Sequence, residues 1–217
     1  MASATTLRVT EIFHSLQGES RTSGMPTVFV RLTGCPLRCQ YCDTAYAFEG
    51  GEVRELEAIC VEVESYRSRL VTVTGGEPLA QPNCRSLMTM LCNKGYQVSL
   101  ETSGAMPIEE IDERVSIVLD VKTPGSLECD KNRVENIGQL AKKDQVKFVI
   151  CDRKDYEWSK AKIDQWALRD RVDEILFSPS YEELSPAELA QWVLDDVLNV
   201  RVQLQLHKLI WGSEPGR

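Results

Sequence analysis

The sequence predicts an α/β fold, a partial barrel of parallel strands with its chemistry gathered at one rim. Three observations carry this expectation. Strand-like apolar runs alternate with helix-like segments along the chain, which calls for parallel pairing through right-handed crossovers. Polar motifs follow the strands: Thr74-Gly75-Gly76-Glu77-Pro78, Glu101-Thr102-Ser103-Gly104, Asp120-Val121-Lys122-Thr123-Pro124-Gly125, Ser178-Pro179-Ser180 and His207-Lys208 each sit at or just after a strand's C-terminal end. A (β/α) barrel places active-site residues there, whereas a doubly wound sheet concentrates them near one switch point. The chain's 217 residues fall short of the ~250 of a full eightfold barrel, so the barrel should be incomplete.

Taken in order, Leu7–Phe13 alternates apolar and polar residues as a half-buried strand does, and runs into the polar turn Ser15–Ser20. Thr27–Thr33 is a second strand, leading through Gly34 into a cysteine-rich loop. Within Glu52–Arg69 the apolar residues Val53, Leu56, Ile59, Cys60 and Val63 recur at helical spacing. Leu70–Thr74 is nearly continuously apolar, as expected of a strand covered on both faces. A helix around Cys84–Lys94 should stop at Gly95, followed by a strand at Gln97–Glu101. Further strands are expected at Val115–Val121, Gln145–Ile150, Asp173–Phe177 and Val200–Leu206, with helices near Arg133–Lys143, Tyr156–Leu168 and Pro186–Leu198 between them. No Pro/Gly/Ser-rich linker or internal repeat divides the sequence, so residues 1–217 are expected to form one domain, with 1–6 a disordered tail.

The net charge of −8, with a pI near 5.0, argues against a protein that clamps nucleic acid through counterion release. No run approaches the ~18 apolar residues of a membrane span, and the small, polar MASATT start lacks the apolar core of a signal peptide. Clustered reactive thiols need a reducing compartment, so the expected location is cytoplasmic.

The chemistry centres on Cys35–Thr44, CPLRCQYCDT, where Cys35, Cys39 and Cys42 stand at spacing C-x3-C-x2-C. Thiolates suit zinc and iron–sulfur clusters, and a structural zinc site wants four protein ligands where this motif supplies three. A cube of four irons held by three thiolates leaves one iron open for a small molecule. The competing reading is a zinc knuckle completed by a distant Cys or His. Cys60, Cys84, Cys92, Cys129 and Cys151 are scattered singly and read as buried small hydrophobes.

The cysteine segment, with Tyr41 just before the last cysteine, closely resembles the radical S-adenosylmethionine (SAM) enzymes. The resemblance implies a partial, roughly sixfold (β/α)6-type barrel of the radical SAM kind, abbreviated. It also implies a 4Fe-4S cluster on Cys35, Cys39 and Cys42, with SAM on the open iron. SAM contacts are implied for Tyr41, Cys42, Asp43, Gly76, Glu101, Ser103, Asp120, Val121 and Lys122.

EIFHSLQGES, Arg31, TGGEP, ETSG, DVKTPGS and QLHKLIWG extend the likeness over most of the chain to one subfamily, the 7-carboxy-7-deazaguanine synthases. Leu127–Leu176 carries the least of it. The subfamily rearranges 6-carboxy-5,6,7,8-tetrahydropterin on the route to 7-deazaguanine nucleosides such as queuosine. Position by position, Leu16, Gln17, Gly18 and Thr74 fall where the family holds the pterin. Arg31 falls on its carboxylate contact, a task suited to a guanidinium fork. The Thr44 hydroxyl falls on the family's ligand to Mg2+, an ion that prefers oxygen; the bland alternative for Asp43-Thr44 is a turn cap. His14 and His207 read as structural.

The function so implied is ring contraction of the pterin with loss of ammonia. The implied partners are an electron donor such as flavodoxin or ferredoxin and a second copy in a homodimer. A glycyl-radical-enzyme activase shares the cysteine spacing but acts on a protein backbone; the LQGE loop, Arg31 and Thr44 favour a small carboxylated substrate. A non-catalytic metal-binding module would need none of the strand-end motifs.

Overall fold

In the computed structural model, residues 5–212, 214 and 216 are described. Nine strands form one open sheet. They are β1 (Thr6–Leu16), β2 (Pro26–Leu32), β3 (Glu52–Glu55), β4 (Leu70–Gly75), β5 (Gln97–Thr102), β6 (Ser116–Val121), β7 (Gln145–Ile150), β8 (Glu174–Pro179) and β9 (Arg201–Val202), in spatial order β3-β1-β2-β4-β5-β6-β7-β8-β9. From β2 to β9 every neighbour is parallel. Only β1 runs antiparallel, to β2 and β3. The expected incomplete parallel barrel is therefore present, bounded by β3 and β9.

The two faces of this sheet differ in chemistry because strand side chains alternate with period two. Val28, Val30 and Leu32 of β2, Val71 and Val73 of β4, and Leu100 of β5 all lie in the main core. So do Leu119 of β6, Phe148 of β7 and Phe177 of β8. The helices cover this face. In α1 (Leu56–Ser65), Leu56, Ile59, Cys60 and Val63 are buried, the i, i+3, i+4, i+7 stripe of an amphipathic helix. In α2 (Cys84–Asn93) the same holds for Cys84, Leu87, Met88, Leu91 and Cys92, and Gly95 follows at φ 87°. The residues of opposite parity face the barrel interior and are mostly polar: Arg31, Thr74, Glu101, Asp120 and Lys147. Register sets them side by side, Arg31 against Thr74 and Asp120 against Lys147.

Several expectations change. Glu52–Glu55 is the edge strand β3, paired with Thr6–Val9, so α1 starts only at Leu56. The strand at Thr6 begins inside the stretch expected to be a tail; residues 1–4 lie outside the described ones. The helix expected at Arg133–Lys143 is a short 3-10 segment, Val134–Gln139. Within it Asn136 and Ile137 are buried, and Leu140 follows in extended conformation, which ends the turn. Asn136 also ties it sideways, donating to the carbonyls of Gly104 and Met106 and accepting from Ile108 N. After β7, Asp152 caps α3 (Arg153–Gln165) by accepting from Asp155 N, and α4 (Leu168–Arg171) leads to β8. Pro186 opens α5 (Pro186–Asp195) at a position where its missing N–H costs nothing.

The strand expected over Val200–Leu206 is only two residues long. Beyond it Gln203 N reaches Phe177 O, and then the chain turns inward. Leu206 N donates to Gly18 O and opens α6 (Leu206–Trp211). His207 thus lies in a helix over the barrel mouth and not at a strand end.

Candidate active site

One cavity of about 260 Å³ opens at the C-terminal ends of the parallel strands. It takes in every residue singled out from the sequence except Val121: the three cysteines, Tyr41, Asp43, Thr44, Leu16, Gln17, Gly18, Arg31, Thr74, Gly76, Glu101, Ser103, Asp120 and Lys122 all line it. Val121 has the opposite strand parity and packs into the helix-side core. Its side chain does not reach the cavity.

The cysteine loop is held against the end of β4. Gly34 N donates to Ala47 O at 2.8 Å, and Glu77 N donates to Gly34 O at 2.9 Å. A Cβ on Gly75 would stand 2.2 Å from Leu32 O, and one on Gly76 2.3 Å from Gly34 O and 2.6 Å from Cys35 Cβ. The two glycines are thus needed for backbone approach to the neighbouring strand and to the cysteine loop itself, a role beyond any ligand contact. The next residue, Glu77, is fully buried. It accepts from Leu79 N, Thr102 Oγ1, Ser103 N and Ser103 Oγ, which ties the ends of β4 and β5 together. A buried carboxylate is tolerable when its lone pairs are filled in this way.

The donor set fits an iron–sulfur cluster better than a single ion. Cys35, Cys39 and Cys42 are all free and partly exposed to the same cavity. Among the described residues, no three His, Cys, Asp or Glu side chains converge closely enough to hold one metal ion. A cube of iron takes its thiolates at separate corners, so three sulfurs around a common space without a common centre suit it. Burial pushes the Cys39 thiol up to about 11 and raises Cys35 as well, and the Lys122 ammonium works against both. Ligation needs thiolates, so Lys122 favours the form that binds.

Beside the thiols lie two polar atoms with no partner. Tyr41 OH and Asp120 Oδ1 are buried and make no hydrogen bond among the described residues. Asp120 Oδ2 is occupied, 3.1 Å from Lys122 Nζ and 3.6 Å from Lys147 Nζ. Its other oxygen is a buried acceptor left unpaired, on a residue that lines the cavity. Burial holds the Tyr41 phenol well above its usual range, with Asp120 adding to the effect.

Across the cavity a second set of residues surrounds the loop after β1. Gln17 is buried; its amide donates to Thr72 Oγ1 at 3.2 Å and Glu101 Oε1 at 3.1 Å, and its oxygen accepts from Glu19 N. Thr74 Oγ1 donates to Glu101 Oε2 at 3.0 Å. Glu101, expected among the SAM contacts, is thus hydrogen-bonded to Gln17 and Thr74, the residues expected at the pterin. Burial, reinforced by Glu19, raises the Glu101 carboxyl. Burial acts the same way on Glu19, but Lys147 overcomes it and leaves this carboxyl lowered. Two neighbouring carboxyls pushed in opposite directions divide roles, one favoured as an ionised acceptor and the other nearer to protonated.

Arg31 enters from β2. Its Nε donates to Glu11 Oε1 at 2.7 Å, and its guanidinium lies against the rings of Phe13 and Tyr46, 5.6 and 5.8 Å from their centroids. A guanidinium has four further N–H donors. Thr44 occupies the N-cap position of the 3-10 turn Ala45–Ala47 but makes no capping bond with its side chain; its hydroxyl donates to Asp43 Oδ1 at 2.8 Å. The turn-cap alternative for Thr44 thus has no bond behind it, and the hydroxyl oxygen keeps acceptor capacity suited to a hard cation. Asp43 Oδ2 pairs with Lys208 Nζ at 2.8 Å. Burial would raise Asp43, but Lys208 and the Thr44 hydroxyl hold it well below the usual carboxylate range.

Sequence reasoning missed four contributors. Lys147 stands inside β7 and joins Glu19 to Asp120; a lone lysine in the otherwise apolar QVKFVI was the available signal. Glu11 and Tyr46 position Arg31 and each other, with Tyr46 OH donating to Glu11 Oε1. Gln205 donates to Glu19 Oε1 at 2.8 Å. Cys129 and Cys151 are partly exposed, so only Cys60, Cys84 and Cys92 are the buried hydrophobes expected.

Residues 29–150 match the family model for the radical SAM superfamily. The 7-carboxy-7-deazaguanine synthase of Koribacter versatilis is 41% identical, over 96% of this chain and 98% of its own length. That of Chlorobaculum tepidum is 39% identical, over 99% and 98%. Among solved structures, QueE from Escherichia coli superposes with a TM-score of 0.77 at 21% identity, covering 95% of this chain and all of that one. SuiB from Streptococcus suis superposes with 0.59 at 13% identity over 79% of this chain and 47% of its own. At such identities the structural likenesses speak for the fold alone. The two sequence relatives, matched end to end, go further: the chain is a member of the 7-carboxy-7-deazaguanine synthase family, within the radical SAM superfamily.

Proposed function

We propose that this chain, acting as a single domain, converts 6-carboxy-5,6,7,8-tetrahydropterin into 7-carboxy-7-deazaguanine with loss of ammonia. The observation that carries the reading is that one cavity gathers both sets of residues, the thiols with Asp120 and Lys122 as one half-site and Gln17, Thr74, Glu101 and Arg31 as the other. Cys35, Cys39 and Cys42 would hold a 4Fe-4S cluster, and Tyr41, Cys42, Asp43, Gly76, Ser103, Asp120 and Lys122 would surround SAM. When bound, the two together supply the hydrogen-abstracting deoxyadenosyl radical of this superfamily.

The protein's own contribution is binding, orientation and exclusion of water. Arg31, fixed by Glu11 and by two aromatic rings, presents its remaining N–H groups to the substrate carboxylate. Gln17, Thr74 and the carboxyls of Glu101 and Glu19 offer donors and acceptors to the pterin ring. The Glu19 carboxylate, held by Lys147 and Gln205, suits the amino and ring N–H groups of an aminopyrimidine edge. The Thr44 hydroxyl would ligate Mg2+, an ion that takes oxygen ligands and keeps several waters, at the substrate carboxylate. Helix α6, packed over the Gln17–Glu19 loop, closes the mouth and keeps water and stray hydrogen donors from a radical intermediate.

A flavodoxin- or ferredoxin-like electron donor, a homodimeric assembly and a cytoplasmic location complete this reading; no helix among the described residues is long and apolar enough to cross a membrane. Anaerobic incubation of the reconstituted protein with the tetrahydropterin, SAM, Mg2+ and a reductant tests it. Formation of 7-carboxy-7-deazaguanine with equimolar ammonia is expected. SAM cleavage without any change in the pterin would refute the substrate.

A further inference from the structure

The inner face of the barrel carries a continuous run of charge, Glu19–Lys147–Asp120–Lys122, in which only Lys147 has no ligand-binding role above. Glu19, from the loop after β1, receives hydrogen bonds on both carboxylate oxygens: Gln205 Nε2 donates to Oε1 at 2.8 Å and Lys147 Nζ donates to Oε2. Lys147 Nζ also lies 3.6 Å from Asp120 Oδ2, which in turn pairs with Lys122. The Lys147 side chain is 12% exposed and that of Glu19 13%. An ammonium in such a place is costly unless it is paired and hydrogen-bonded. Here it is flanked by two carboxylates, one from each half-site.

We propose that Lys147 is a positioning residue for the pterin, acting through Glu19: it fixes the orientation of that carboxylate so that the remaining lone pairs can accept from the N–H donors of the substrate's aminopyrimidine edge. The inference rests on the pterin reading above. Three features favour it over a purely structural role. Glu19 has no arginine or lysine other than Lys147 bonded to its carboxylate among the described residues, so this one ammonium is its cationic anchor. A carboxylate has about four lone-pair sites, and Gln205 and Lys147 fill two, leaving acceptors on the cavity side. Finally, Lys147 is flanked in sheet register by Asp120 and Leu176 on its two neighbouring strands, so the strand frame and the Asp120 charge hold it where Glu19 can meet it.

A double-mutant cycle on the anaerobically reconstituted protein tests this, using direct binding of 6-carboxy-5,6,7,8-tetrahydropterin and of SAM by calorimetry, with iron content as the control for folding. Lys147→Met and Glu19→Gln should each weaken pterin binding by about tenfold while iron content holds and SAM binding falls less than threefold. The double variant should bind the pterin no more weakly than Glu19→Gln alone, because interacting residues are non-additive. Lys147→Arg should recover most of the affinity. If Lys147→Met fails to retain iron, the double variant, which removes both charges, is compared with Glu19→Gln alone, and equal pterin affinity supports the proposal. Losses that multiply in the double variant, or wild-type pterin affinity in Lys147→Met, would overturn it. Wild-type protein that does not bind the pterin at all would refute the substrate reading, an outcome separate from these.

Discussion

His207 packs against the bare backbone of Gly18, so closely that a Cβ on Gly18 would stand 2.0 Å from His207 Nδ1. The contact joins residues far apart in sequence, and the adjacent bond from Leu206 N to Gly18 O, at 2.9 Å, fixes where α6 begins. Glycine is required at this position for the closeness of a neighbouring ring, since the backbone there has no positive φ. The loop after β1, the proposed substrate contact, and helix α6 are therefore joined as one unit.

Gly18→Ala tests that unit. The added methyl has to displace the His207 ring, at an overpacking cost of roughly 1–3 kcal/mol. Melting should drop only a little, since α6 can swing outward. Turnover should fall at least about tenfold, because reacting groups are then held less closely, while SAM cleavage in the absence of pterin stays near wild type. Unchanged turnover would mean that α6 does not close the site.

How the sequence announces these parts is uneven. Strands β4 to β8 were legible because their outward residues, such as Val71, Val73, Phe148 and Phe177, must be apolar to meet the helices, and period two survives without any knowledge of partners. The cysteine loop was legible for a related reason, since ligand spacing is local. Lys147 was not, because its meaning depends on register: it matters only once Asp120 stands beside it and Glu19 opposite. The stretch Val200–Leu206 misled in the other direction. Alternating residues satisfy a strand pattern, but the pairing with β8 covers only Arg201 and Val202, and the Gln203 and Gln205 side chains bond the loop after β1.

For the cluster, Cys35→Ala, Cys39→Ala and Cys42→Ala should each abolish the brown 4Fe-4S absorbance of reconstituted protein. Cys60, Cys84 and Cys92 are buried on the helix side, away from the cavity, and their alanine variants should keep the wild-type iron content. Cys129 and Cys151 are partly exposed but do not line the cavity, and the same is expected of them. Iron analysis of the eight variants decides, and loss of iron from any of the last five would mean a ligand outside the C-x3-C-x2-C loop.

Arg31→Lys separates charge from geometry. Lysine keeps the cation but cannot donate to Glu11 from Nε and to a carboxylate from a planar fork at once. Pterin affinity should weaken roughly tenfold or more, the scale of a lost charge-assisted hydrogen bond, with SAM affinity retained. Calorimetry with each ligand in turn reads this out. Parallel loss of both affinities would instead point to disruption of the β1–β2 pair, where Arg31 and Glu11 are direct neighbours.

Thr44 offers the sharpest distinction between metal and scaffold. It sits at an N-cap position yet makes no side-chain capping bond, so Thr44→Val removes no cap and should alter stability by less than about 0.5 kcal/mol. The valine is close in shape and leaves the thiols untouched, so iron content and SAM binding should persist. What it removes is the oxygen. If that oxygen ligates Mg2+ beside the substrate carboxylate, stimulation of turnover by Mg2+ should disappear in Thr44→Val and survive in part in Thr44→Ser. The Asp43 carboxylate is held by Lys208 at 2.8 Å, a pairing neither substitution removes, so it does not readily take over as the ligand. Titrating Mg2+ against turnover in the three proteins gives the answer, and a magnesium response in Thr44→Val equal to that of the wild type would rule out the assignment.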